Sequence, residues 1–202
     1  MRLFLAMFIA YLVGSIPTGY LFAKYRNVDL HNTGSGSTGA TNVLRSVGKL
    51  AALLTLVIDV LKGYIVVALL ADIFYNFRMS ITPVQLEAVM ALCVVAGHNW
   101  PLFLSFKGGK GVATSAGVLL ALCPKLLIIG LAVWIIIFVF TRIVSIASII
   151  SAAAIPIASY CFTYGNTIRF LTIILAILTI VRHTKNIKRL VKKEEKTILV
   201  KI

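Results

Sequence analysis

Leu50-Ala51-Ala52-Leu53-Leu54-Thr55-Leu56-Val57-Ile58-Asp59-Val60-Leu61-Lys62-Gly63-Tyr64-Ile65-Val66-Val67-Ala68-Leu69-Leu70-Ala71 holds only two charged residues, Asp59 and Lys62. At ~1.5 Å per residue, a helix of this length crosses a hydrocarbon core of ~30 Å. Further apolar runs fall at residues 3–23, 85–104, 112–123, 126–140, 143–163 and 168–182. The 202-residue chain is 60% hydrophobic and only 13% charged, with mean hydropathy +1.00. A soluble domain does not carry so many uncharged runs of spanning length. The expected fold is therefore all-α: a polytopic integral membrane protein of about seven transmembrane helices, forming one domain over residues 1–202. The Val112–Cys123 run covers only ~18 Å and is expected as one arm of a tilted or partly re-entrant hairpin closed around Pro124.

Basic residues set the expected orientation. With the N-terminus outside, the inner connections carry Lys24, Arg26, Arg45, Lys49, Lys107, Lys110 and Arg142. The tail, residues 183–202, is strongly basic: Lys185, Lys188, Arg189, Lys192, Lys193, Lys196 and Lys201 follow Arg182 at the end of the last span. Only Arg2, Arg78, Lys125 and Arg169 fall outside. This asymmetry predicts an outer N-terminus and a cytoplasmic C-terminus. A formal charge of +14 placed beside membrane spans is met by anionic headgroups, so membrane lipids are expected partners and nucleic acid is not. Gly14-Ser15-Ile16-Pro17-Thr18-Gly19 makes a poor cleavage site, and the first run is expected to be retained as a helix. Cys93, Cys123 and Cys161 lie in apolar runs at no metal-binding spacing. No metal and no cofactor are expected.

Three inner connections and the tail carry the polar residues from which a site can be built. The first reads Gly34-Ser35-Gly36-Ser37-Thr38-Gly39-Ala40-Thr41-Asn42-Val43-Leu44-Arg45. Its glycines let backbone N–H groups approach a ligand, and Ala40 to Ser46 reads as a short helix. Gly34, Ser35, Gly36, Ser37, Gly39 and Thr41 are candidate phosphate-binding positions. Asn42 and Arg45 share a helix face, and Arg45 can grip a phosphate with two parallel donors. The pattern is neither a Walker loop nor a dinucleotide fingerprint.

The second connection contains Phe106-Lys107-Gly108-Gly109-Lys110-Gly111 just before a helix. Cations beside an open backbone invite a second anion, so Lys107, Gly108, Gly109 and Lys110 are candidates. The positive-inside rule alone accounts for the two lysines, but not for the glycines. His98 and Asn99, beside Pro101, are read as structural hydrogen-bonding residues. Ser145 and Ser148 share a face in the third connection; helix packing accounts for Ser148 at least as well as a site does. At the end of the last span, His183 and Asn186 lie at i and i+3, with histidine the natural proton acceptor near neutral pH. An interfacial helix with Ile187 and Leu190 toward lipid fits the same stretch. Asp59 and Lys62 would each cost ~2.5–3.5 kcal/mol if left uncompensated in a membrane, and pairing with each other is the expected solution.

Taken together, these segments resemble the acyl-phosphate:glycerol-3-phosphate acyltransferase family of bacterial membranes. The matching stretches are Gly14 to Tyr20, Gly34 to Arg45, Asp59 to Gly63, Gly97-His98, Phe106 to Thr114, Val144 to Ser148 and Arg182 to Leu190. They run along nearly the whole chain in the family's order. The resemblance implies a seven-helix enzyme of the bacterial cytoplasmic membrane, with its active site facing the cytoplasm. It would transfer a fatty acyl group from acyl phosphate, rather than from acyl-CoA or acyl carrier protein, to the 1-hydroxyl of sn-glycerol 3-phosphate. The products would be lysophosphatidic acid and inorganic phosphate, the first acylation of phospholipid synthesis. By match to the family's motifs, Ser35, Asn42, Arg45, Lys107, Ser145, His183 and Asn186 are the implied site residues, with Ser35, His183 and Asn186 catalytic. Ser37-Thr38 stands where the family pattern has an asparagine and an aliphatic residue. The sequence leaves the oligomeric state open, a monomer included.

Acyl phosphate is a mixed anhydride with a good leaving group, so positioning, charge stabilisation and a proton acceptor suffice without a covalent acyl-enzyme. The Ser35–Arg45 loop is expected to take the leaving phosphate, and Lys107, His183 and Asn186 the glycerol 3-phosphate. Either His183 or a substrate phosphate oxygen would accept the proton. The competing class is a transporter or channel for a phosphorylated anion. Against it, the candidate groups gather at one surface rather than the midplane, and no repeat relates two halves. A lipid-binding scaffold leaves the glycine loops unexplained.

Overall fold

Lipid offers no hydrogen bonds to the backbone, so the long apolar runs must satisfy their own N–H and C=O groups as helices. The computed structural model of the chain describes residues 1–76 and 79–197 and is all-helical, with no strand among those residues. Arg78 and Lys201, counted in the charge asymmetry, lie outside the described residues. Among the described residues, five helical stretches are long and apolar enough to cross a membrane: Arg2–Tyr25, Lys49–Phe74, Pro83–Leu104, Pro124–Thr141 and Val144–Cys161. A sixth arises if Asn166–Arg182 and Thr184–Val191, bent by 56°, count as one span. The remaining run forms a helix of 11 residues, as short as its sequence suggests.

The described residues gather into two compact units, Met1–Leu122 and Cys123–Ile202. In the first, α1 (Arg2–Ser15) and α2 (Thr18–Tyr25) meet at Pro17. A short α3 (Ala40–Ser46) follows the first glycine-rich connection, with the bounds expected from sequence. Then α4 (Lys49–Ile65) continues through a π-turn (Val66–Leu70) into α5 (Ala71–Phe74). Helix α6 (Pro83–Asn99) starts at a capping box, Thr82 with Gln85, and Pro83 in the first turn. It stops two residues before Pro101, whose ring disfavours helix in the residue ahead of it; a 3₁₀ turn (Leu102–Leu104) follows. Helix α7 (Val112–Leu122) closes the unit.

Helix pairs in this unit touch through glycines. A Cβ on Gly14 of α1 would collide with Val94 O of α6, and one on Gly97 of α6 with Tyr11 O of α1. Between α4 and α7, a Cβ on Gly63 would strike Thr114 O, and one on Gly117 would strike Val60 O. Small residues let backbones approach where lipid removes any hydrophobic drive between helices. Thus the short α7 packs on α4. Under the first connection, Ala23, Leu30, Val43 and Ala52 form a small buried core.

The second unit holds α8 (Pro124–Thr141), α9 (Val144–Cys161), α10 (Asn166–Arg182) and α11 (Thr184–Val191). Ser151 Oγ donates to Gly130 O at 2.7 Å, tying α9 to α8. Trp134 Nε1 donates to Ser148 Oγ at 3.1 Å, so Ser148 serves packing. Thr172 of α10 meets Ser159 of α9 at 3.3 Å. Large apolar side chains on α8, among them Ile128, Ile135 and Phe140, point outward, as lipid contact requires.

If close backbone approach holds α4 and α7 together, Gly117→Val should cost ~1–3 kcal/mol of stability, as overpacking does. Gly165→Ala, with nothing within 4 Å of the added carbon, should cost almost nothing. Thermal unfolding of the two variants in the same detergent checks the contrast; equal melting would remove the glycine contact as its cause.

Candidate active site

In the first connection the chain folds around one amide. Asn42 is 1% exposed, and its Oδ1 accepts from Ser35 N at 2.8 Å. Its Nδ2 faces Ser37 O at 2.9 Å, Thr33 O at 3.0 Å and Leu30 O at 3.3 Å. Gly34, at φ +64, sits so close that a Cβ would strike Asn42 Oδ1. Only glycine meets both demands. The sequence reading puts Asn42 on the phosphate. The structure instead turns its amide inward and spends it on the loop's own backbone, making Asn42 the residue that shapes the loop. Ser35, Ser37, Thr41 and Arg45 remain half-buried along that loop, and Gly36 takes a left-handed φ of +71. Gly39, at φ −74, is the N-cap of α3 in an extended conformation open to any residue.

The second connection sits on the end of α6. Gly109 N donates to His98 O at 3.0 Å. A Cβ on Gly108 would strike His98 O and Pro101 Cδ, and one on Gly109 would strike His98 Nε2. Both glycines are buried, whereas Lys107 is exposed and Lys110 half-buried. The sequence reading explains Gly108 and Gly109 by access for a ligand; the structure explains them by close approach to α6. Asp59 and Lys62 do pair, Nζ to Oδ1 at 2.8 Å. His98 joins them, with Nδ1 2.8 Å from Lys62 Nζ.

In the second unit, an acid absent from the expected site organises the expected residues. Glu195 Oε1 accepts from Ser145 Oγ at 3.0 Å and from Asn186 Nδ2 at 2.6 Å, while Oε2 accepts from Arg189 Nε at 2.6 Å. Ser145 and Asn186, expected on substrate, are 4% and 3% exposed and hold this carboxylate. Burial works against the charged form of Glu195. Hydrogen bonds from Arg189, Asn186 and Ser145, helped by the Arg189 charge, outweigh it and hold the carboxyl below the usual range. His183 lies at the bend between α10 and α11, 2% exposed. Its Nδ1 is 2.8 Å from Thr179 O. A carbonyl only accepts, so Nδ1 carries the proton and the basic lone pair falls on Nε2.

The structure therefore places the expected residues on two connections of the first unit and, in the second, around Glu195 and the bend at His183. A family model described as "Glycerol-3-phosphate acyltransferase" matches residues 4–193. The chain belongs to that family. A glycerol-3-phosphate acyltransferase of Prochlorococcus marinus (strain MIT 9215) is 43% identical over 197 residues, covering 96% of each chain. One from Endomicrobium trichonymphae is 42% identical over 192 residues, 95% of this chain and 93% of that one. Among solved structures, PlsY (YgiH), an integral membrane glycerol 3-phosphate acyltransferase in its glycerol 3-phosphate form, superposes with a TM-score of 0.90. It is 36% identical and the match covers 98% of this chain and 96% of that one. The lysophosphatidic acid form of PlsY gives a TM-score of 0.87 at 35% identity.

Membership in the family matches the resemblance carried by the motifs. Glu195 escaped the sequence reading because it stands in a run of lysines that topology alone accounts for. The available signal was its sign: it is one of only six acids in the chain.

The lowered Glu195 pKa fixes the sign of a pH effect. A carboxyl held below its ordinary value adds stability above the ordinary glutamate range, and loses it as pH falls through the lowered folded value. Glu195→Gln should therefore melt a few degrees below the parent at pH 7, ~1 kcal/mol after allowance for solvent screening. The gap should close on acidification. Melting curves of both proteins from pH 7 to pH 3 measure it, and a gap unchanged with pH would show that the charge is not its source.

Proposed function

We propose that this chain transfers a fatty acyl group from acyl phosphate to the 1-hydroxyl of sn-glycerol 3-phosphate, releasing lysophosphatidic acid and inorganic phosphate. One observation carries the reading. The chain matches, over nearly its whole length, a relative solved with glycerol 3-phosphate and with lysophosphatidic acid. Those two molecules differ by one acyl ester, so they are the acceptor and the product of a single transfer.

In this reading the acceptor hydroxyl attacks the acyl carbonyl, the carbonyl–O bond to phosphate breaks, and phosphate departs. The anhydride needs no covalent acyl-enzyme. Ser35 and Arg45, on the loop shaped by Asn42, take the leaving phosphate; a guanidinium matches phosphate with two parallel donors. Lys107 takes the phosphate of glycerol 3-phosphate. His183 Nε2 accepts the hydroxyl proton, a role supported by the Nδ1 bond to Thr179 O. Asn186 and Ser145 act through Glu195, holding the start of α11 beside His183. Acyl phosphate as donor is supported by the two glycine-and-cation connections, which suit two phosphates. The charge asymmetry supports an outer N-terminus, a cytoplasmic tail and a site reached from the cytoplasm of a bacterial inner membrane.

Purified protein in lipid should convert acyl phosphate and glycerol 3-phosphate into lysophosphatidic acid and phosphate, and should leave acyl-CoA untouched. Equal turnover of acyl-CoA would refute the donor assignment. Arg45→Ala should lower kcat/KM about 100-fold or more, the scale expected when one transition-state donor is lost. His183→Gln should abolish the neutral-pH limb of the activity profile, and an unaltered profile would pass the proton to a substrate phosphate oxygen.

A further inference from the structure

Asp59, Lys62 and His98 are 2%, 5% and 7% exposed, and the proposed chemistry uses none of them. Ionic groups at membrane depth are costly, and apolar residues of the same size would be tolerated more cheaply. Their arrangement shows what they are connected to. Lys62 Nζ has three hydrogens and meets three acceptors: Asp59 Oδ1 at 2.8 Å, His98 Nδ1 at 2.8 Å and Ile16 O at 3.4 Å. This ammonium fixes the plane of the His98 ring. The other ring nitrogen, Nε2, is the atom that a Cβ on Gly109 would strike. The main chain of His98 holds the same residue, through Gly109 N to His98 O at 3.0 Å. His98 thus grips Gly109 from two sides, two residues from Lys107. A small cavity, with room for about one water, is lined by Asp59, His98, Thr18 and Thr38, and so borders the first glycine-rich loop as well.

We infer that Asp59, Lys62 and His98 are a positioning network that sets the Phe106–Gly111 loop for phosphate. Lys62 fixes the His98 ring, the ring and carbonyl of His98 fix Gly109, and Gly109 fixes the backbone that carries Lys107. The inference rests on the reading that Lys107 binds glycerol 3-phosphate. It makes these three side chains positioning residues, never in contact with the reacting atoms.

The steric relation to Gly109 gives a test that a general loss of stability cannot imitate. Gly109→Ala and His98→Ala should each raise KM for glycerol 3-phosphate about tenfold with kcat changed little, the signature of lost ground-state binding. Combining them should be no worse than Gly109→Ala alone, because removing the ring makes room for the new methyl group. Gly108→Ala should show no such rescue by His98→Ala, since its methyl group meets main-chain His98 O and Pro101 Cδ. Additive losses in the Gly109 pair would overturn the inference, as would rescue of both glycine variants alike. Hydrogen exchange in lipid supplies a readout independent of substrate: His98→Ala should speed exchange at residues 106–111 and leave α1 protected. Unchanged exchange there also overturns it. Lys107→Ala separates the two claims. If that variant leaves KM unaltered while exchange responds to His98→Ala, the assignment of Lys107 fails and the positioning network stands. If His98→Ala does not accumulate, His98→Gln keeps an acceptor for Lys62 and should raise KM less; a KM equal to the parent's, with exchange unchanged, counts against the network.

Discussion

Hydrocarbon gives a polar group nothing to bond to, and that constraint decides where this chain places its polar atoms. Some hydroxyls within the spans turn to backbone carbonyls, as Ser151 does to Gly130 O and Thr55 to Ala51 O. The buried Lys62 of α4 finds polar groups of Asp59, His98 and Ile16 around it. Helices meet through glycines, because apolar contact with a neighbouring helix gains little over contact with lipid. The residues free to meet a charged substrate are therefore pushed to the ends of helices and the connections between them.

Connections at a membrane surface are floppy unless something holds them, and a floppy phosphate site loses its advantage to ordering entropy. On the proposed reading, this chain meets that problem twice with one polar side chain. Asn42 gathers Leu30, Thr33, Ser35 and Ser37 around its amide. Glu195 gathers Ser145, Asn186 and Arg189 around its carboxylate. In each case the hydrogen bonds that hold the segment come from the chain itself. On the proposed reading the donor is already activated, so alignment and charge stabilisation are the main contributions left to the protein.

Five of the seven expected runs were legible as spans because their signal is local: run length and hydrophobicity need no knowledge of neighbours. So were α3, from its glycine boundary, and the Asp59–Lys62 pair, from its i, i+3 spacing on one helix. What stayed hidden were contacts between distant positions. Lys62 and His98 are 36 residues apart, Ser145 and Glu195 are 50 apart, and nothing local marks either partnership. Polarity alone also leaves direction open. Asn42 and Ser145 look like ligand contacts by residue type, yet burial and hydrogen-bond geometry turn them inward. A polar residue near a site serves the site's shape as readily as its ligand, and sequence does not separate the two.

The two glycine-rich connections share a composition, but the glycines answer different demands. In the first, Gly34 is needed for a left-handed φ and for the approach of Asn42, so the loop is shaped by an amide within its own sequence. In the second, Gly108 and Gly109 are needed because α6 stands where their side chains would go. That loop has its shape imposed by His98, and through Lys62 by α4. A disturbance in the packing of α4 on α6 therefore has a covalent and hydrogen-bonded route to Lys107. The shape of the Gly34–Arg45 loop depends first on Asn42, and α4 reaches that loop by a separate route, through Ala52 in the small core with Leu30 and Val43.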